Sequence, residues 1–227
     1  MIHVCFGLHD KTGRYSKFTG TAMLSLFENH DTPPHLPSIT VHILHDNTLT
    51  QDNRDKFSYV AGQYGQLVKF YNVETLCADK IRELLQSMPN VPNLPQSIAT
   101  CYRFLIPQIF PAEIKKIIYL DSDIIVNLDI QEFWQVNLDD MPLAVVPEMQ
   151  SYVPTNPLHY LCREGFVKAE DFFNAGILLM NLKQLRKAEK NLSKGMQFHA
   201  EHPECDGNDQ AILNYCFSTE AVKLPQK

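Results

Sequence analysis

Close cysteine pairs, basic clusters and long apolar runs are all missing from this chain of 227 residues. Its six cysteines are widely separated, which excludes the ligand spacing typical of zinc sites and predicts mostly reduced thiols. Lysine and arginine are scattered and the formal net charge is −6, so nothing in the charge pattern indicates a nucleic-acid partner. The first apolar run, residues 2–8, is too short for a membrane span or a secretory signal. We therefore expect a cytoplasmic protein that does not bind nucleic acid.

Several catalytic and repetitive motifs are missing as well. No H-E-x-x-H spacing supports a histidine zinc centre, and no G-x-x-x-x-G-K-[ST] sequence supports a P-loop nucleotidase. The chain shows no internal repeat and no low-complexity segment. Because 44% of its residues are hydrophobic, it can bury a substantial core, and we expect one domain over residues 1–227.

Apolar runs of strand length alternate with helical patterns along the chain. This alternation is typical of an α/β protein with an open, mainly parallel sheet flanked by helices, whose ligands bind beyond the carboxyl ends of the strands. The predicted strands are residues 2–8, 39–44, 67–71, 117–120, 143–146 and 175–181. Helical patterns cover residues 18–27, 98–109 and 183–202, and a turn at 207–209 leads into a last helix.

Two carboxylates, Asp121 and Asp123, interrupt an otherwise apolar run over residues 117–126. An isolated ionised carboxylate in such surroundings costs several kcal/mol, so the pair needs a cation or a dense hydrogen-bond shell. If the run is a strand, both side chains project to one side about 7 Å apart, which suits one hard cation such as Mg²⁺ or Mn²⁺. Water and substrate phosphate oxygens would complete its coordination. The alternative is that Asp121 ends the strand and Asp123 faces solvent, without a metal.

Polar residues beside two further predicted elements are candidates for the same sheet edge. Asn174 stands with the small residues Ala175 and Gly176, which let a ligand approach the backbone, and its amide can donate and accept hydrogen bonds as sugar hydroxyls require. Asp209 and Gln210 are expected in the first turn of the last helix, where the helix dipole favours an acid. An ordinary turn at Asn174 and simple helix capping by Asp209 are the alternatives.

Three more side chains belong to this group of candidates. Arg103, in the predicted helix before the acid pair, could neutralise a phosphate or hold a carboxylate, or it could be a solvated surface residue. The loop after the first strand carries Asp10, which can accept a hydrogen bond from a base or a ribose. The same loop carries Tyr15, which can stack on a heterocycle.

Taken in order along the chain, these segments resemble glycosyltransferase family 8, retaining enzymes of the GT-A fold that use nucleotide sugars and manganese. The resemblance covers nearly the whole chain. It is carried by the first strand with the Tyr15 loop, and by residues 102–103, the D-x-D core at 119–123, residues 173–176 with 181–182, and residues 209–214.

The resemblance implies a role for each candidate. Asp121 and Asp123 would bind Mn²⁺ or Mg²⁺, while Asp10 and Tyr15 would hold the uracil of a UDP-glucose or UDP-galactose donor. The hexose would pass to a glycan or glycolipid acceptor, as in lipopolysaccharide biosynthesis, with its anomeric configuration retained. The residues that would surround the donor sugar are Arg103, Asn174, Ala175, Asp209 and Gln210, with Glu148 on the sugar or acceptor side.

Breaking the sugar–diphosphate bond leaves negative charge on phosphate and an oxocarbenium-like sugar. A divalent ion would stabilise the leaving group as a Lewis acid. The sugar needs electron-rich groups beside it, and the candidate catalytic groups are the Gln210 side-chain carbonyl and Asp209.

The sequence departs from the family pattern in two places. His9 stands where family members often carry an acid, which affects the expected nucleotide contacts of this loop. Family members also contribute a third metal ligand, a His in a carboxyl-terminal motif, and the sequence ends at Lys227 before any such motif. We therefore expect a domain without that segment, whose metal affinity depends strongly on bound diphosphate.

Two other functions stay open at this point. The acid pair would also suit a phosphohydrolase with Asp121 as nucleophile and Asp123 as acid. A catalytically silent module that binds nucleotide sugars is the other alternative. Peripheral association with the inner membrane face is a further expectation, whereas the oligomeric state and the acceptor, which would contact loops such as 147–163, do not follow from the sequence.

Overall fold

The computed structural model describes residues 1–31, 38–87, 98–148, 160–205 and 207–225. In these ranges the strands are β1 (Ile2–Leu8), β2 (Ile39–His45), β3 (Leu67–Asn72), β4 (Lys116–Leu120), β5 (Leu143–Pro147), β6 (Phe173–Asn181) and β7 (Ala221–Lys223). The helices are α1 (Tyr15–Glu28), α2 (Gln51–Gln63), α3 (Val73–Leu76), α4 (Ala78–Ser87), α5 (Ile106–Ile109), α6 (Ile130–Trp134), α7 (Tyr160–Arg163), α8 (Leu182–Lys187), α9 (Glu189–Glu201) and α10 (Asn208–Phe217). In the same ranges, 3-10 helices cover Ile98–Leu105 and Ala169–Asp171.

The strands form one sheet in the order β3-β2-β1-β4-β6-β5-β7. β1 pairs in parallel with β2 and β4, β2 pairs in parallel with β3, and β5 pairs in parallel with β7. β6 is antiparallel to both of its neighbours, β4 and β5. The predicted open, mainly parallel sheet is confirmed, and every predicted strand is present, whereas the short strand β7 was not predicted.

Both faces of the sheet are buried, because alternate residues of a strand enter opposite layers. In β4, Ile117 and Tyr119 join an apolar cluster with residues of the 3-10 helix Ile98–Leu105 and of α10. Ile118 and Leu120 join the other cluster, with residues of α1 and α2. This two-sided burial explains why the strands read as apolar runs in the sequence.

The helical predictions are confirmed in part. α1 buries Ala22, Met23, Leu26 and Phe27 as expected, but Phe18 of the same stripe is 49% exposed. The segment predicted as one helix over residues 98–109 is a 3-10 helix followed by α5, which begins next to a proline. The segment over residues 183–202 divides into α8 and α9. Each helix in the described ranges is too short or too polar to span a bilayer.

Candidate active site

The candidate site lies where β1 and β4 end and β6 begins. Because β6 runs opposite to its neighbours, its first residues lie at the edge where the parallel strands have their carboxyl ends. The 3-10 helix Ile98–Leu105 and the first turn of α10 reach the same edge through their side chains. Open α/β sheets bind their ligands at this edge.

Arg103 connects the predicted site residues. Only 3% of its side chain is exposed, and its Nη2 lies 2.9 Å from Asp121 Oδ1 and 3.2 Å from Asp209 Oδ2. Nε donates to the Thr100 carbonyl at 2.7 Å, and Nη1 donates to the Ala175 carbonyl. The surface alternative for Arg103 is therefore wrong, since the guanidinium is buried and holds both carboxylates.

The charges in this cluster depend on one another. Burial opposes the charge of Arg103, yet the adjacent Asp209 and Asp121 carboxylates raise the pKa of its guanidinium above the ordinary value. Burial also raises the pKa of Asp209, although Arg103 acts in the opposite direction. Removing one partner of a buried charge pair costs several kcal/mol, so the cluster is stable only when complete.

Asp121 is held from three directions. Its backbone N–H donates to the Gly176 carbonyl at 2.8 Å, one residue beyond the end of β4. Its Oδ1 accepts from Arg103 and, at 3.0 Å, from the hydroxyl of Tyr119, whose pKa burial holds well above its ordinary value. Its Oδ2 lies so close to Gly176 that an added Cβ there would come within 2.5 Å of it. Only glycine leaves this carboxylate in its present orientation.

The chain turns out of the sheet after Asp121. Ser122 points inward and donates to the Gly7 carbonyl at 3.1 Å, whereas Asp123 is exposed and Ile125 is 57% exposed. The prediction that Asp121 and Asp123 project from one face of a strand is wrong, because β4 ends before both of them. The two carboxylates lie instead on one turn that follows β4.

The two carboxylates offer the hard oxygen ligands that Mg²⁺ and Mn²⁺ prefer. Among the described residues, no group of three or more His, Cys, Asp or Glu side chains is placed to hold one ion. Asp121 Oδ2 accepts no hydrogen bond from a described residue, since both bonds to this carboxylate end on Oδ1. The residues present therefore fit a divalent cation only together with oxygens of a bound ligand.

A register shift between β5 and β6 takes Ala175 out of the ladder to β5. The Ala175 N–H donates instead to Gln210 Oε1 at 3.0 Å, and its carbonyl accepts from Arg103. Asn174 Oδ1 accepts from the Gly176 N–H at 2.8 Å. Ala175 is thus tied to side chains of the site rather than to β5.

The first turn of α10 is preceded by a left-handed turn. Gly207 has a φ of 96° and Asn208 a φ of 40°, which Gly and Asn adopt more readily than other residues. Capping alone does not explain Asp209, because this carboxylate in the first turn of α10 pairs with Arg103. The predicted turn is confirmed, and it directs Asp209 toward the site.

Asp10 and Tyr15 lie at the amino end of α1. Asp10 is 4% exposed, and its carboxylate accepts from the Tyr15 N–H at 3.0 Å and from the Ser16 N–H at 3.1 Å. Arg14, the residue before the helix, makes no capping hydrogen bond with its side chain. The Asp10 carboxylate takes this role and satisfies the first backbone amides of α1. The Tyr15 ring is 45% exposed, and burial, Asp123 and Asp121 raise its pKa. The loop predicted to hold a nucleoside therefore adjoins the acid pair.

A carboxylate that was not predicted, Asp46, follows β2 at the same edge. It is 3% exposed, and its Oδ2 contacts His9 Nδ1 and accepts from the Tyr102 hydroxyl at 3.1 Å. Burial opposes its charge, yet hydrogen bonds from Thr48 and His9 lower the pKa of Asp46 below its ordinary value. Since β1 and β2 are paired up to Leu8 and His45, this contact joins the residues that follow two adjacent strands.

Glu148 follows β5 and is half-buried, and its backbone N–H donates to the Phe172 carbonyl at 2.9 Å. It therefore lies beside the chain that enters β6. Most of the loop expected to shape the acceptor pocket, residues 149–159, lies outside the described residues.

Sequence reasoning also missed Tyr119 and Asn214 as site residues. Tyr119 precedes Asp121 by two positions, and this spacing in an extended chain could have placed both side chains on one face. Asn214 is fully buried, and its amide bonds the N–H and the carbonyl of Phe173, both at 2.8 Å. It lies one helical turn after Gln210, a spacing that could have signalled a second contact from α10 to β6.

One protein-family model matches nearly the whole chain. The family model described as glycosyl transferase family 8 matches residues 8–227. The lipopolysaccharide 1,2-glucosyltransferase of Escherichia coli is 25% identical over 100% of this chain and 61% of its own length. The lipopolysaccharide 1,3-galactosyltransferase of Salmonella typhimurium is 30% identical over 84% of this chain and 54% of its own length. General stress protein A of Bacillus subtilis is 24% identical over 88% of this chain and 64% of its own length. The chain thus spans 54% to 64% of these three relatives.

Solved structures show the same fold. The galactosyltransferase LgtC, in complex with donor and acceptor sugar analogues, has a TM-score of 0.71 and 23% identity, over 98% of this chain and 73% of its own. The glycosyltransferase GlyE of Streptococcus pneumoniae has a TM-score of 0.65 and 21% identity, over 98% of this chain and 45% of its own.

Proposed function

Since the chain belongs to glycosyltransferase family 8, we propose that it moves glucose or galactose from a UDP-sugar to a glycan or glycolipid acceptor, with retention at the anomeric carbon. The observation that carries the proposal is the buried Arg103, which joins Asp121 on the β4 turn to Asp209 on α10 at the ligand-binding edge of the sheet. The names of the Escherichia coli and Salmonella relatives support a lipopolysaccharide-type acceptor.

Asp121 and Asp123 would hold Mn²⁺ or Mg²⁺ together with the diphosphate of the donor. The bound cation would supply Lewis-acid stabilisation of the departing diphosphate. Arg103 adds a fixed positive charge behind Asp121, in a place that solvent does not reach. Its four contacts hold this charge still, so little reorganisation is needed when negative charge develops on the leaving group.

On the sugar side, Asp209 and Gln210 are the electron-rich groups of the proposed mechanism. The Ala175 N–H fixes Gln210 Oε1 at 3.0 Å, and that oxygen retains a second lone pair for a developing positive charge on the sugar. Asn174 and Glu148 lie at the start of β6 and the end of β5, where hydroxyl groups of the sugar or the acceptor would be bound.

Tyr15 would stack on the uracil, since its exposed ring adjoins the acid pair. The Asp10 carboxylate accepts hydrogen bonds from backbone amides at the start of α1. We therefore propose that Asp10 contributes to nucleoside binding chiefly by fixing the position of Tyr15. A place at the inner membrane face stays a prediction.

Calorimetry with UDP, with and without Mn²⁺, followed by hydrolysis assays with UDP-glucose and UDP-galactose, tests the proposal. We expect Mn²⁺-dependent UDP binding and slow donor hydrolysis. Binding without Mn²⁺ dependence, together with uridine-independent phosphate release, would favour the phosphohydrolase with Asp121 as nucleophile. Binding without turnover would favour the silent module.

Two variants separate the proposed roles. Asp123→Ala is expected to abolish Mn²⁺-dependent UDP binding and turnover together, because it removes one of two protein ligands. Gln210→Ala is expected to lower kcat by about 10²-fold or more with little change in donor affinity, since it removes an interaction that strengthens in the transition state. Asp52→Ala, which removes an exposed carboxylate from α2, is the matched control and should leave both quantities unchanged. Wild-type turnover in a metal-loaded Asp123→Ala protein would refute the metal assignment.

A further inference from the structure

The two oxygens of the Asp121 carboxylate have different surroundings. Oδ1 accepts from Arg103 Nη2 at 2.9 Å and from the Tyr119 hydroxyl at 3.0 Å. No described residue donates to Oδ2, whose near neighbour is the bare Cα of Gly176. A carboxylate oxygen has about two lone-pair positions, so Oδ1 is fully used and Oδ2 is free.

The Tyr119 hydroxyl is well placed to keep this arrangement. The Tyr119 side chain is 2% exposed, and its ring lies under the Arg103 guanidinium, 4.4 Å from ring centroid to Cζ. The hydroxyl has Asp121 Oδ1 as its acceptor. Turning the carboxylate about its Cβ–Cγ bond away from this orientation would break both hydrogen bonds at once, and Gly176 leaves little room on the other side.

We propose that Tyr119 is a positioning residue for the metal site: with Arg103 it occupies Oδ1 of Asp121 and presents Oδ2 as the single oxygen that binds the divalent cation. The inference rests on the proposed function, because it concerns the cation of the same site. Tyr119, a buried residue of β4, would thereby contribute to metal affinity and not to packing alone. Groups that orient a metal ligand typically contribute 10- to 100-fold in affinity, about the range expected here.

Tyr119→Phe tests the proposal, since it removes the hydroxyl and keeps the ring. With saturating UDP, the Mn²⁺ dissociation constant, measured from free Mn²⁺ by electron paramagnetic resonance, is expected to rise about tenfold or more. The far-UV circular dichroism spectrum and the urea midpoint of the variant should stay close to those of the wild type, which a general loss of structure would not allow. Tyr160→Phe is the matched control, because it removes a hydroxyl that donates to a carboxylate, Glu204, at 2.8 Å outside the site.

If Tyr119→Phe does not fold, two unnatural residues at position 119 test whether a hydrogen-bond donor there sets the Mn²⁺ affinity. Tyr119→4-aminophenylalanine keeps a donor at the para position, whereas Tyr119→4-methylphenylalanine fills the same volume without one. The amino variant should restore Mn²⁺ affinity to within about threefold of wild type, and the methyl variant should not. Equal Mn²⁺ affinity in the two variants, or in Tyr119→Phe and the wild type, would overturn the inference.

Failure of the inference differs from failure of the proposed function. If wild-type protein binds Mn²⁺ with UDP and Tyr119→Phe binds it equally well, the positioning role is refuted and the proposed function stands. If the wild-type protein itself shows no Mn²⁺-dependent UDP binding, both are refuted.

Discussion

At the residue scale, the position next to the Asp121 carboxylate is filled by the smallest residue. Gly176 has no positive φ, so its backbone would accept any side chain, and the requirement for glycine is one of space. An added Cβ would lie 2.5 Å from Asp121 Oδ2 and 3.1 Å from Asn174 Oδ1. The absence of one carbon atom therefore maintains the geometry of two site residues.

Gly176→Ala should displace the Asp121 carboxylate and weaken Mn²⁺-dependent UDP binding about tenfold or more, measured by calorimetry. Crowding at a packed position should also lower the free energy of unfolding by about 1–3 kcal/mol. The control is Gly62→Ala in α2, where a Cβ would meet nothing within 4 Å. That variant should bind as wild type and be up to about 1 kcal/mol more stable, because alanine favours the helix. Equal binding by both variants would contradict the steric argument.

At the element scale, α10 is fixed to the start of β6 by amide side chains. Asn214 bonds both backbone groups of Phe173, and Gln210 bonds the Ala175 N–H. The bond from Ala175 to Gln210 satisfies a strand N–H that the β5–β6 register shift removes from the ladder. The helix that carries Asp209 is therefore aligned with the sheet by hydrogen bonds as well as by apolar packing.

Asn214→Leu should leave the N–H and the carbonyl of Phe173 buried and unpaired. Each unsatisfied group costs about 1–3 kcal/mol, so the free energy of unfolding should fall by about 2–6 kcal/mol in urea titrations followed by circular dichroism. Donor hydrolysis should fall as well, because Gln210 lies one turn away on the same helix. A variant with wild-type stability would show that α10 is held by apolar packing alone.

The element scale also shows what the sequence could predict. Strands such as β4 were recognisable because both faces of the sheet are buried, which makes them continuous apolar runs. Treating residues 117–126 as one extended run around the acid pair was wrong, because residues 124–126 follow the turn at Asp123 and pair with no strand in the described part of the chain. Local apolarity does not reveal whether a neighbouring strand is present.

The contacts within the site were predicted less completely than the strands, and Arg103 is an example. In sequence it is an arginine beside an apolar stripe, and its burial depends on carboxylates and a carbonyl brought together only by the folded sheet. The His9–Asp46 contact joins residues 37 positions apart in the same way. Sequence motifs were enough to identify the candidate residues. The contacts between these residues could not be predicted, because they depend on which strands lie side by side in the folded sheet.

At the scale of the whole molecule, buried neutral histidines make stability depend on pH. Burial lowers the pKa values of His3, His42 and His45, that of His42 to about 3. His42 Nε2 lies 3.0 Å from His3 Nδ1, and His42 Nδ1 lies 3.1 Å from the Tyr71 hydroxyl. These rings are therefore uncharged in the native protein at neutral pH.

The sign of the effect follows from proton binding. Below about pH 6.5 the unfolded chain protonates these histidines while the native protein does not, so stability should fall as the pH drops from about 6.5 toward 3. His42→Gln should flatten this fall, because it removes a histidine whose pKa burial lowers to about 3. Free energies of unfolding in urea at pH 7 and pH 4.5 provide the measurement. Parallel losses in wild type and variant would show that other groups dominate.

The reversed direction of β6 has a consequence for how such an enzyme can diversify. The turn proposed to bind the cation follows β4, whereas Asn174 and Ala175 stand at the start of β6, which the chain enters from the segment after β5. Separate connections therefore supply the two halves of the pocket, and an insertion before β6 can remodel one half without moving the other. Under the proposed function, acceptor recognition could therefore change on this scaffold while the turn that would bind the diphosphate stays the same.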